Sequence, residues 1–150
     1  MSALDSIVEA WFSKAVEIYP EAVRNGMTRA SDRFRNPLAY NLRESLAVLA
    51  NEIAGDMRPA AITVALDGII RIRAVQECTA EEAIAFAARL GDVIREQHAE
   101  ALFPDSEQRV RALADSAREH YATCRKDVAR VRRQEEWRMQ ALEPWMREVQ

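Results

Sequence analysis

Apolar and polar residues alternate along the chain in a way that divides it into helical segments. From Ala3 to Tyr19, Leu4, Ile7, Val8, Trp11, Phe12, Ala15 and Ile18 recur at three- and four-residue spacing, which predicts an amphipathic helix stopped by Pro20. Ser2, with Asp5 three residues on, is placed to cap its start. Pro20 opens a short second segment, and Asn25-Gly26 reads as its stop, with Gly26 in the left-handed conformation. Met27 to Asn36 is polar and weakly periodic, the pattern of a further short helix. Asn36-Pro37 starts a third helix that runs through Ala54. Leu38, Leu42, Leu46, Leu49 and Ile53 form its narrow stripe, and Gly55 closes it.

Pro59 opens a helix to about Glu77 with Ile62, Ala65, Leu66, Ile69 and Ile72 on one face and Asp67 and Arg71 opposite as an i,i+4 pair. Arg73 falls near the middle of the apolar arc. A guanidinium there is costly to desolvate alone and calls for a carboxylate or carbonyls from another segment. Asp32, Arg33, Glu44 and Arg73 are therefore the candidate polar cluster, structural or ligand-responsive. Thr79 and Glu82 make a T-x-x-E capping box for a helix to roughly Leu102, before Phe103-Pro104. Its arc carries small residues at Ala80, Ala83, Ala87, Ala88 and Gly91, which let another helix approach closely.

Asp105 or Ser106 caps a last helix that meets no breaker until Pro144, about 58 Å if straight. Val110, Ala114, Ala117, Tyr121, Cys124, Val128 and Val131 form a heptad-like seam. The seam then falters, with Glu135 and Arg138 at the next two positions, and Trp137, Leu142, Trp145 and Val149 mark a shifted face. Residues 105–150 hold 10 basic and 9 acidic side chains, so much of this helix is expected to be solvated. A helix this long must bend, project or pack on a second copy. The candidate dimer or partner surface is Ala87, Gly91, Val110, Ala117, Tyr121, Val128, Trp137 and Trp145.

Composition narrows the reading to one all-α domain over residues 1–150, a bundle of five to seven helices. Ala, Arg, Glu and Leu dominate, while 4 Gly and 5 Pro are too few to punctuate short strands. With 21 Lys and Arg against 24 Asp and Glu the net charge is -3, which disfavours nucleic acid as a partner. No apolar run predicts membrane insertion or a signal peptide. Cys78 and Cys124 lack CxxC spacing and read as reduced thiols, so a cytoplasmic location is expected. The inventory for catalysis is thin: His98, His120, two distant cysteines, and no nucleophile, phosphate-loop or zinc motif. No catalytic residue, cofactor or metal is expected. The alternative from another class is a haem- or metal-binding sensor using His98, which periodicity puts on an apolar arc.

Two segments carry a family likeness. Asp-Arg-Phe-Arg-Asn-Pro-Leu-Ala-Tyr-Asn-Leu-Arg-Glu-Ser-Leu at 32–46 and Ala-Leu-Asp-Gly-Ile-Ile-Arg-Ile-Arg-Ala-Val-Gln-Glu-Cys-Thr-Ala-Glu-Glu-Ala-Ile-Ala-Phe at 65–86 resemble the RsbRD N-terminal domain family. These are the input domains of RsbR-type stressosome co-antagonists. The likeness spans about residues 5–102, and its more specific parts are R-F-x-N-P at Arg33 to Pro37 and R-I-R-A-V-Q at Arg71 to Gln76. It implies a sensory or interaction role in bacterial control of stress transcription, and a non-haem, globin-like packing. It further implies a dimer with the Thr79-capped helix and the last helix at a four-helix interface. Family members in that role carry a phosphorylatable STAS domain after the input domain. The 150 residues leave no room for one, so the expectation is a stand-alone regulatory module acting on a partner, or a structural adaptor of a protein complex.

Overall fold

The computed structural model describes residues 2–29, 36–76 and 78–149, and within them the chain is helical throughout, with no strand. Six α-helices follow in order: α1 Ala3–Val16, α2 Glu21–Arg29, α3 Pro37–Ala54, α4 Pro59–Val75, α5 Ala80–Glu96 and α6 Ser106–Val149, with a 3-10 turn at Glu100–Leu102 before α6. Three of the caps read from sequence are formed. Ser2 and Asp5 exchange hydrogen bonds at the start of α1, as do Thr79 and Glu82 at α5, and Asn36 accepts from the Ala39 N–H at α3.

α1 lies against α3 and α5, α3 against α4, and α6 against α4 and α5. Their apolar faces meet at Trp11, which is fully buried and donates its Nε1–H to the Phe86 carbonyl at 2.7 Å. The Trp11 and Phe86 rings stack at 6.2 Å. The α3 stripe of Leu42, Leu46, Leu49 and Ile53 is buried as its spacing predicts. On α4, Ile62, Ala65, Leu66 and Ile69 are buried, but Ile72 is half exposed and Ile70 takes an inner place, because α4 packs against both α3 and α6. A Cβ added at Gly68 would lie 2.7 Å from Ser45 Oγ, so this glycine lets α3 and α4 cross closely.

Several boundaries differ from the expected ones. α1 ends at Val16, and the Ile18 and Tyr19 N–H groups bond back to Ala15 and Val16. The stop expected at Asn25-Gly26 does not occur. α2 continues to Arg29, with Met27 fully buried, and Gly26 is not left-handed. Of the short helix expected over Met27 to Asn36, only the first three residues extend α2, and 30–35 lie outside the described residues.

Non-glycine residues with positive φ, Met57 (54°), His98 (50°) and Asp105 (54°), stand in the α3–α4 turn and on either side of the 3-10 turn. In the α3–α4 turn, the buried Glu52 carboxylate accepts the Arg58 backbone N–H at 2.7 Å and its Nε–H at 2.8 Å, while the Met57 N–H bonds to the Glu52 carbonyl. α5 stops at Glu96 rather than near Leu102, closed by Ala99 N–H to Ile94 and His98 N–H to Arg95, the two bonds that end a helix on a left-handed residue. At the other end of the chain α6 runs through Pro144. The position is exposed, so water can take up the carbonyl that the missing N–H frees, and the Glu143–Arg147 pair brackets it at 2.5 Å.

Candidate functional site

The inner half of α6 is tied to the body by polar bonds as well as apolar contact. Arg109 Nη1 donates to the Ile53 and Gly55 carbonyls at 2.8 and 2.7 Å, capping α3, and Arg125 Nη1 donates to the Ala74 carbonyl at 2.7 Å, capping α4. Both put a cation at the negative end of a helix. The Tyr121 hydroxyl donates to the Cys78 carbonyl. Between these clasps α4 and α6 bring together Asp67, His120 and Cys124, whose donor atoms all lie within 4.8 Å of one another.

Asp67 Oδ1 is the hub of that cluster. His120 Nε2 is 2.8 Å from it, Arg71 Nη2 2.9 Å, and Cys124 Sγ 4.0 Å. Arg71 also reaches Asp127 Oδ2 at 3.4 Å. The Arg71 guanidinium, with a smaller contribution from His120, holds the Asp67 carboxyl below the usual carboxylate range. Burial pushes the Cys124 thiol up, against the pull of Arg71, which disfavours the nucleophilic thiolate. A carboxylate, an imidazole and a thiol suit zinc in kind. Their arrangement does not favour it, since Arg71 and His120 converge on the one Asp67 oxygen and the guanidinium occupies the approach a cation would need. As built, the cluster is an ion-pair hub that locks α4 to α6. Its trace in the sequence is a pair of matched i,i+4 spacings, Asp67 with Arg71 and His120 with Cys124, which helical periodicity alone does not align.

Of the cluster built around Arg73, Asp32 and Arg33 lie outside the described residues, and Glu44 is exposed on α3 with no ion pair to Arg73. Arg73 itself is 5% exposed. Its guanidinium lies 4.6 Å over the Tyr19 ring and donates to Gln76 Oε1 at 3.3 Å. Burial pushes the Tyr19 hydroxyl pKa up and the Arg73 charge partly offsets this. His98 is not on an apolar arc: the left-handed turn after Glu96 carries it out of α5, and it is exposed. The haem or metal reading of His98 loses the geometry that suggested it.

The residues grouped as a docking surface separate into two sets. Ala87 and Ala117 are fully buried within a single chain, where α5 and α6 pack on each other, so they are not free surface. Tyr121 and Val128 are half-buried. Gly91 and Val110 line an open groove of about 650 Å³ between α5 and the start of α6. Trp137 and Trp145, at 73% and 69% exposure, lie beyond the body on the outer part of α6, where every described side chain from residue 130 to 147 is exposed. Val131, Met139, Leu142 and Met146 are exposed with them. Among the described helices none is long and apolar enough to cross a membrane. No family model, curated protein or solved structure matches the chain.

Proposed function

We propose that this chain is a non-enzymatic regulatory module that acts by binding proteins, with the helical body as its base and the outer half of α6 as the docking arm. The observation that carries the reading is the run of exposed large apolar side chains, Val131, Trp137, Met139, Leu142, Trp145 and Met146, on a helix whose inner half is clasped to the body. Exposed apolar residues concentrated in this way mark interaction sites, and tryptophan is the residue type that most often anchors them. A helix presenting such residues fits a groove or a second helix. The regulatory part of the reading draws on the resemblance of residues 32–46 and 65–86 to RsbR-type input domains, a globin-like packing included. The Asp67 cluster supports the non-enzymatic part, because its thiol is buried and its carboxylate is held by Arg71 and His120.

The test compares the wild-type chain with a Trp137→Ser/Trp145→Ser variant as bait in the native host. Both side chains are outside the body, so folding is retained. The reading expects a regulatory protein recovered with the wild type and lost with the variant. Equal recovery of the same proteins by both would contradict it.

A further inference from the structure

The face of α6 that is buried in the body continues past it. Leu113, Ala117, His120 and Cys124 pack inward, and the same stripe runs on at three- and four-residue steps through Val128, Val131, Glu135, Arg138, Leu142 and Trp145. The outer six positions have a symmetry of chemistry that the inner ones lack. Their spacing reads the same in both directions (3, 4, 3, 4, 3), and so does their chemistry: two apolar residues, a charge, the opposite charge, two apolar residues. The centre of this symmetry falls between Glu136 and Trp137.

We infer that the outer half of α6 pairs with the same segment of a second copy of this chain, antiparallel. In that arrangement Val131 of each chain meets Leu142 of the other, Val128 meets Trp145, and Glu135 meets Arg138 at both central layers. In a single chain Glu135 and Arg138 pair along the helix, 3.5 Å apart, on an otherwise apolar stripe. A charged residue at a seam position weakens a helix pair unless the opposing residue complements it, and such residues fix orientation and register. A parallel pairing would set Glu135 on Glu135 and Arg138 on Arg138, two like-charge layers in succession, so the sequence selects against it. Antiparallel pairing also places the basic stretch of Arg130, Arg132 and Arg133 beside the end of the second copy that carries Glu143. The interface is continuous with the intramolecular seam: the stripe that holds α6 to α4 and α5 becomes, one turn further out, the stripe that holds two chains together. Trp137 lies off this stripe and stays open to another protein.

This inference rests on the docking-arm reading above and names its occupant. Sedimentation equilibrium of the full chain tests it. The wild type is expected to dimerise, Glu135→Arg and Arg138→Glu each to weaken the dimer by about tenfold or more, and the combined variant to recover to within about threefold of wild type. All four substituted side-chain positions in the paired dimer are exposed in the single chain, so folding is unaffected. Orientation is read by oxidising mixed Val131→Cys and Leu142→Cys chains. A cross-linked dimer is expected from the mixture and not from Val131→Cys alone, whose two thiols would lie about 16 Å apart along the pair. A monomeric wild type, a combined variant as weak as the single ones, or self-cross-linking of Val131→Cys would overturn the proposal. A monomeric wild type would leave the wider reading standing if a protein were still lost from the Trp137→Ser/Trp145→Ser bait.

Discussion

His120 Nε2 on α6 lies 2.8 Å from Asp67 Oδ1 on α4, joining residues 53 apart in sequence at the inner half of α6. The same carboxylate oxygen receives Arg71 from one turn along α4. The bond therefore belongs to a network, and its contribution depends on both partners. A double-mutant cycle with Asp67→Ala and His120→Ala, followed by urea unfolding, is expected to show a coupling of about 0.5–1 kcal/mol, reduced from a fully buried value because Asp67 is partly exposed. Additive losses would show that the two side chains are neighbours without interacting.

Acid sensitivity follows from the same carboxylates. Asp67 is held low by Arg71 and His120, Glu52 by the Arg58 side chain and N–H, and Glu81 by Arg118. In each the folded-state pKa lies below the unfolded one, so the unfolded chain binds more protons in the window between them. The stabilisation is complete above the unfolded values, near about 4, and is lost as pH falls through the folded ones. Unfolding free energies measured from pH 6 down to 3 should therefore stay level at first and then drop. Asp67→Asn should make the drop shallower. A variant with the wild-type slope would remove Asp67 from this account.

Arg73 gives a prediction through the groups that its guanidinium touches. The guanidinium rests on the Tyr19 ring and Gln76, and no described carboxylate bonds to it. Arg73→Ala removes the packed stem and the ring contact and is expected to cost about 2 kcal/mol in urea unfolding, whereas Arg73→Leu restores the packing and should recover most of that loss. A loss of about 3–5 kcal/mol in both variants would reveal a stranded buried charge instead.

What the sequence made legible follows local rules. The two capping boxes need only residues three apart, and Ser2–Asp5 and Thr79–Glu82 form them. The α3 leucine stripe needs only the helical period. Turn chemistry was less legible, because three turn positions use Met57, His98 and Asp105 in a conformation usually marked by glycine, and the glycine that should have stopped α2 was overridden by the burial of Met27. The error over His98 has the same origin: one left-handed residue rotates it off the face that its spacing assigned. The Asp67 hub was invisible for a different reason. Asp67 and Arg71 were read correctly as a pair on the polar side of α4, but that side meets α6, and no local pattern states which faces of two helices will oppose each other. The outer stripe of α6 is legible in the sequence as a defect, charges at Glu135 and Arg138 where the spacing expects apolar residues, and the antiparallel pairing proposed above is what would give that defect a role.

Amide hydrogen exchange on the full chain at increasing protein concentration tests most directly whether the outer half of α6 is a docking arm. A helical segment of this length with no packing partner is marginally stable in water, so its amides exchange quickly until something covers its apolar face. Residues 131–147 should exchange fast in dilute solution and gain protection as concentration rises, while residues 109–125, clasped to α3 and α4, should be protected equally at every concentration. Protection of 131–147 that matches the inner half in dilute solution would contradict the docking arm itself, and protection that never appears at high concentration would contradict its pairing with a second copy.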